Sequence, residues 1–360
     1  MDKVSLTMSQ DELRTILEET TPGWPLFPEL DRARVDLVRV RQRPAVKMLL
    51  AEADALLEDL YPIPQTTYSL YREFRRSGKR SPYEDPYFQK RTNLTAAALA
   101  LFAGQDEMVN PVQDYLWDIC EETNWVLPAH EGPDDNKMGI DLFAAETGFY
   151  LAELVTHFAD VLSPEIVDRV KAEIEVRIFQ DYLARGETYG WYQTEMNWNG
   201  VCNSSVGNAF LLLEEDADRL TEALARVLRG LEVYLEGGFE ADGGSTEGVG
   251  YWSYGLKNMI CFSEMLRQRT KGRIDILSSV DKLKKIAVYP LKVMLSPGHF
   301  ANFSDSDELT DFSPGVVVRL AERTGQQDAM KVLAGPGAQT TLPWRLPMAL
   351  RTMLWWDGEH

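Results

Sequence analysis

Apolar residues recur at helical spacing along nearly the whole chain, and that periodicity restricts the fold to packed helices. The clearest stripe is Leu220, Leu224, Val227, Leu228, Leu231 and Leu235, which falls on one face and stops at Gly237-Gly238. Ser163-Pro164 opens another helix, with a capping residue followed by proline at the first helical position, and Ile166, Val167, Val170 and Ile174 form its stripe. Ser9 and Glu12 stand at capping-box spacing ahead of Leu13, Ile16 and Leu17. Roughly a dozen helices with short Gly-, Pro- and Asp-bearing connections are predicted. The clearest strand signal is around His299–Phe303, just before Asp305, Ser306 and Asp307. Antiparallel helix pairs with a common inside face make a bundle, a solenoid or a closed toroid, and periodicity alone does not choose among them.

With 360 residues, 44% of them hydrophobic, the chain can bury a large core. No low-complexity tract or long linker divides it, so residues 1–360 are read as a single domain. The 56 acidic and 37 basic residues give a net charge of -19, which argues against nucleic acid or an anionic membrane surface as a partner. The same balance weighs against a polyanionic substrate, although a cleft can hold a local basic patch under a negative total. Met1–Met8 lacks the basic-then-apolar start of a secretory signal and no stretch approaches a membrane span, so a cytoplasmic protein is expected. Cys120, Cys202 and Cys261 lack CxxC spacing, and His130, His157, His299 and His360 are too few for a His-rich metal centre. No cofactor is expected, and the acidic run Asp305–Glu308 reads as a solvated loop. Trp355-Trp356 near the end either docks back onto the helices or marks a surface that another element covers.

Three segments mix polar side chains with aromatics in the manner of a sugar-binding cleft, where rings stack on pyranose faces while amides and carboxylates bond hydroxyls. They are Glu121–His130, Trp191–Asn203 and Asp242–Tyr254. The second and third sit between helices, so their loops can gather at one end of a helical array. The alternative is that Asn, Gly and Asp merely make turns there.

These segments resemble, in the same order, the landmarks of the heparinase II/III-like polysaccharide lyases. The matching runs are NWVLPAH, GIDLFAAETG (139–148), NWNGVCN (197–203) and DGGSTEGVGYWSYG (242–255), and the resemblance spans about residues 70 to 310. It implies an all-α fold, an incomplete (α/α) toroid of helix hairpins holding an acidic oligosaccharide or polysaccharide. It also implies a C-terminal β-sandwich domain that these residues do not include, so that the chain would be the N-terminal part of a longer protein. Such lyases act by β-elimination, using a neutraliser of the uronate carboxylate, a proton acceptor and a proton donor. Carried onto this chain, the donor falls on Tyr251 and the neutraliser on Asn197, 54 positions earlier, with Asn199 as the fallback in register. A further His would come from the sandwich domain. His130 lines the cleft in this reading, beside Asn124, and Trp125, Trp198 and Trp252 are stacking candidates. Asp242 and Glu247 hold the loop or bond sugar hydroxyls, and Tyr254 competes with Tyr251.

Each residue also has a structural reading: Tyr251 as a core aromatic, the tryptophans as core, His130 as a structural residue. Two other functions stay open. One is glycoside hydrolysis by paired carboxylates among Asp242, Glu247 and Glu195. The other is a non-catalytic glycan-binding module.

Overall fold

The computed structural model describes residues 4–20, 37–132, 139–334 and 342–358, and the fold is all-α. Met1–Lys3 of the leader reading and His360 lie outside the described residues. Among the described residues, twelve helices have ten residues or more: α1 (Gln10–Thr20), α2 (Pro44–Leu57), α3 (Tyr68–Ser77), α4 (Ser81–Phe102), α5 (Val109–Glu121), α6 (Leu142–His157), α7 (Pro164–Ile174), α8 (Asn197–Leu213), α9 (Ala217–Gly237), α10 (Val249–Arg269), α11 (Pro314–Thr324) and α12 (Leu346–Trp355). The strand expected at His299 is present as a two-residue piece, His299–Phe300, paired antiparallel with Met294–Ser296.

The local signals act as read. In α1 the Ser9 hydroxyl accepts from the Glu12 amide at 3.2 Å, and Leu13, Ile16 and Leu17 are buried. Pro164 sits in the first turn of α7 with Ser163 at the cap position, though the Ser163 side chain makes no cap bond. In α9 the carboxylate of Asp216 accepts from the amides of Asp218 and Arg219.

The outer helices are amphipathic, whereas α6 and α8 are buried almost all round. Helix α8 is the hub, packed on α6, α9 and α10. Its small residues permit that: a methyl group at Gly200 would lie 2.6 Å from the Tyr234 ring of α9, and one at Gly207 would lie 2.6 Å from the Phe262 ring of α10. Phe210 stacks on Phe179 with centroids 3.9 Å apart, and each such fully buried ring contributes about 1.5–3 kcal/mol. Helix α4 meets α6 through polar contacts, Thr95 with Tyr150 at 2.9 Å and Arg91 with Thr147 at 3.1 Å. Helix α12 packs on α2, α4, α6 and α11. Trp355 and Trp356 are buried on this surface, with the Arg319 guanidinium 4.4 Å from the Trp355 ring, so the paired tryptophans dock back onto the helices. Among the described residues no helix is long and apolar enough to cross a membrane.

Candidate active site

Five helices begin at the same end of the molecule. Arg80 caps α4, Asp141 caps α6, Asn197 starts α8, Glu247 lies two residues before α10, and Arg345 caps α12. Side chains from these starts touch. The His130 ring lies 4.8 Å from Trp198 and 5.6 Å from Phe143, and Phe143 lies 6.2 Å from Trp344. One end thus collects several positive helix termini, a setting that favours negative charge. Two of them already hold a carboxylate: Asp141 accepts from the Ala144 amide at 2.7 Å, and Glu247 accepts from the Asn197 amide at 2.6 Å.

His130 is fixed from both sides. Its Nδ1 lies 2.7 Å from Asp141 Oδ2, and its Nε2 lies 3.3 Å from a guanidinium nitrogen of Arg80. Arginine can only donate, so Nε2 is the acceptor and Nδ1–H donates to Asp141. Asp141 is fully buried and also accepts from the Leu127 amide, which holds it and the imidazole in one orientation. The imidazole thereby turns a lone pair toward the cluster, next to a cation.

Tyr251, in the first turn of α10, is half-buried. Its ionisation is raised above the ordinary value, first by burial and then by the charges of Asp305, Glu247 and Asp307, against the opposing pull of Arg80. It is therefore a group that holds its proton. Ser306, in the same loop as Asp305, anchors the start of α10 by accepting from the Gly250 amide at 2.8 Å.

Behind the cluster, Glu146 is buried and bonded on both oxygens. Arg345 donates to it at 2.6 and 2.7 Å, the Tyr254 hydroxyl at 2.9 Å and the Asn258 amide at 3.0 Å. Burial alone would raise the Glu146 carboxyl, but Arg345, Lys257 and Asn258 outweigh it and hold it below the usual range. Lys257 lies 4.5 Å from the Tyr254 ring; burial and the charge of Arg345 bring its ammonium down to about 7, with Glu146 opposing.

The sequence candidates divide accordingly. His130 and Trp198 touch in the cluster, and Tyr251 lies within electrostatic reach of Arg80 and Glu247. Asn197 is bonded to Glu247: its Nδ2 donates to the second Glu247 oxygen at 2.8 Å, and its buried Oδ1 has no hydrogen-bond partner among the described residues. Asn199 faces the core, donating to the carbonyls of Tyr192 and Thr194 and accepting from Asn203. Trp125 and Trp252 are buried, each donating its indole N–H to a backbone carbonyl, of Ile119 and Ile286 respectively, so neither ring presents a face for stacking. Tyr254 is committed to Glu146, and burial pushes its ionisation far up. Asn124 bonds Glu131 at 3.0 Å, on the other side of the loop from His130.

Sequence reasoning missed Arg80, Asp141, Glu146 and Arg345. Asp141 had a signal, an acidic residue directly before a helical run, but its bond to His130 depends on tertiary contact. Among the described residues no group of three or more His, Cys, Asp and Glu side chains gathers as metal ligands. Among the described residues the arrangement offers an oriented proton acceptor, a phenol that holds its proton, the Arg80 cation, which is also paired with Glu84 at 2.6 Å, and a half-buried indole. Comparison with protein-family models and with curated proteins found no match to this chain.

Proposed function

We propose that this chain is the substrate-binding helical part of a carbon–oxygen lyase that cleaves uronic-acid-containing glycans by β-elimination. The observation that carries the reading is His130, oriented by Asp141 and in contact with Arg80, whose charge also reaches Tyr251. In this reading the uronate carboxylate pairs with Arg80, which draws the guanidinium off Nε2 and leaves that lone pair free. Nε2 then takes the proton from the carbon beside the carboxylate. The electron pair forms the ring double bond, the bond to the glycosidic oxygen breaks, and Tyr251 gives its proton to that oxygen. Trp198 supports the sugar ring. Asn197, expected to neutralise the carboxylate, acts through Glu247, which ties α8 to the turn before α10 and so sets where Tyr251 stands.

An incomplete toroid closed by a β-sandwich domain, with a further His from that domain, belongs to the same reading, as does a cytoplasmic setting, supported by three unpaired thiols. The hydrolase alternative is less well supported. Glu247 has both oxygens engaged by Asn197, and Asp242 is exposed and stabilises its own turn through the Gly244 amide. The test is the mass of the products from uronate oligosaccharides. Elimination leaves one fragment lighter by one water than hydrolysis does; only full-mass fragments would move the assignment to a hydrolase, and no fragments to a binding module.

A further inference from the structure

A cavity of about 560 Å³ lies between α3 and the loop that follows α5, a size within the ~300–1,000 Å³ of small-molecule sites. Tyr68, Tyr71, Tyr83, Thr123, Asn124 and Glu131 are on its wall. We infer that this cavity is a second carbohydrate site, and that it takes an uncharged sugar unit.

Its rings and polar groups are arranged for that. Tyr68 and Tyr71 stack at 6.5 Å with planes 26° apart, and Tyr68 is 70% exposed, an aromatic face open to a ligand. The polar partners are held in place. The Glu131 carboxylate is almost fully enclosed and accepts from the Tyr71 hydroxyl and, at 3.0 Å, from the Asn124 amide. Hydroxyls of a sugar would meet Thr123, Asn124 and Gln65 at the rim.

Among the described residues the wall offers an acidic unit no uncommitted cation. Of these residues, Asp118, Glu121, Glu122 and Glu131 line the cavity, and the two cations on its wall are committed: Lys90 to Asp118 and Glu122, Arg185 to Asp181. Glu121 is in turn paired with Arg169 at 3.1 Å, so the wall gives an organic cation little net attraction. An uncharged, hydroxyl-bearing ring meets neither repulsion nor an unpaired charge.

The cavity adjoins the cluster described above. Arg80 and Tyr83 stand one turn apart at the start of α4, and His130 and Glu131 are consecutive; the first of each pair enters the cluster and the second the cavity. One glycan with an acidic unit on Arg80 can therefore place a neutral neighbour against Tyr68 and Tyr71. Binding at the cavity does not depend on the elimination chemistry, and the two are tested separately.

The experiment is saturation-transfer NMR on the full chain with cellotriose, triacetylchitotriose and trigalacturonate. A neutral trisaccharide is expected to show saturation transfer, and Tyr68→Ala, at an exposed position that the fold does not need, to weaken it by about threefold to tenfold. Asn124→Ala should reduce it as well. The inference is overturned if neither neutral trisaccharide binds, if Tyr68→Ala leaves their binding unchanged, or if trigalacturonate depends on Tyr68 to the same degree. Loss of lyase activity with intact neutral-sugar binding would count against the elimination reading alone.

Discussion

At the scale of single residues, the proposed proton transfer depends on the tautomer of His130. Asp141 holds Nδ1–H and thereby presents Nε2, and the Asp141 carboxylate simultaneously caps α6. Asp141→Asn keeps the shape of the side chain but offers the imidazole a donor as readily as an acceptor. It is expected to lower kcat by about 10²-fold or more, with a smaller effect on KM, as read from steady-state kinetics. The lost charge at the cap adds a stability cost of about 1 kcal/mol. A kcat unchanged in Asp141→Asn would remove His130 from the proton transfer. Tyr251 and His130 were singled out by the motifs around them, but Arg80 stands 50 residues from His130 and 171 from Tyr251, and its contact with the one and its electrostatic reach to the other are products of the fold. Trp125 and Trp252 show the opposite failure: composition cannot tell a stacking platform from a buried indole whose N–H finds a backbone carbonyl.

At the scale of elements, the central helix decides how closely the others approach. An alanine is normally the better helix former by about 1 kcal/mol, yet Gly200→Ala places a methyl group 2.6 Å from Tyr234, itself wedged against α10 near Gly255. The expected outcome is a net loss of about 1–3 kcal/mol in chemical denaturation, and a stabilised variant would show that α8 and α9 have room to part. The helices themselves were legible because amphipathic stripes and caps are local: α1, α7 and α9 stand where Ser9, Ser163 and the leucine stripe place them. Helix α8 was legible only as a motif. Its face is polar and small, with Asn199, Asn203, Ser204 and Asn208 buried among neighbours that the local pattern does not reveal.

At the scale of the whole molecule, Lys257 makes stability depend on pH. Its native ammonium ionises at about 7, whereas an unfolded lysine ionises near ~10.4. Between these values the unfolded state binds a proton that the native state does not, so this residue's contribution to stability rises with pH across that window, and its penalty is full below about 7. Lys257→Met should raise the Tm by about 2–4 °C at pH 7 and give progressively less as pH approaches 10. Glu146 acts in the opposite region: its carboxyl is held low, so the stability it confers is complete above the ordinary carboxylate range and is lost only as pH falls through its depressed value. The all-α class could be inferred from period and length. The gathering of five helix starts at one end could not, because it depends on how the return segments set the direction of each inner helix.

The most direct test of the central claim is the ultraviolet absorbance of a conjugated unsaturated uronate, followed while the full-length protein is incubated with a panel of uronate glycans, with Tyr251→Phe alongside. A steady rise on at least one glycan is expected, with a loss of about 10²-fold or more in rate for Tyr251→Phe. A rise that Tyr251→Phe leaves untouched would contradict the proton-donor assignment, and no rise on any uronate glycan would contradict the lyase reading itself.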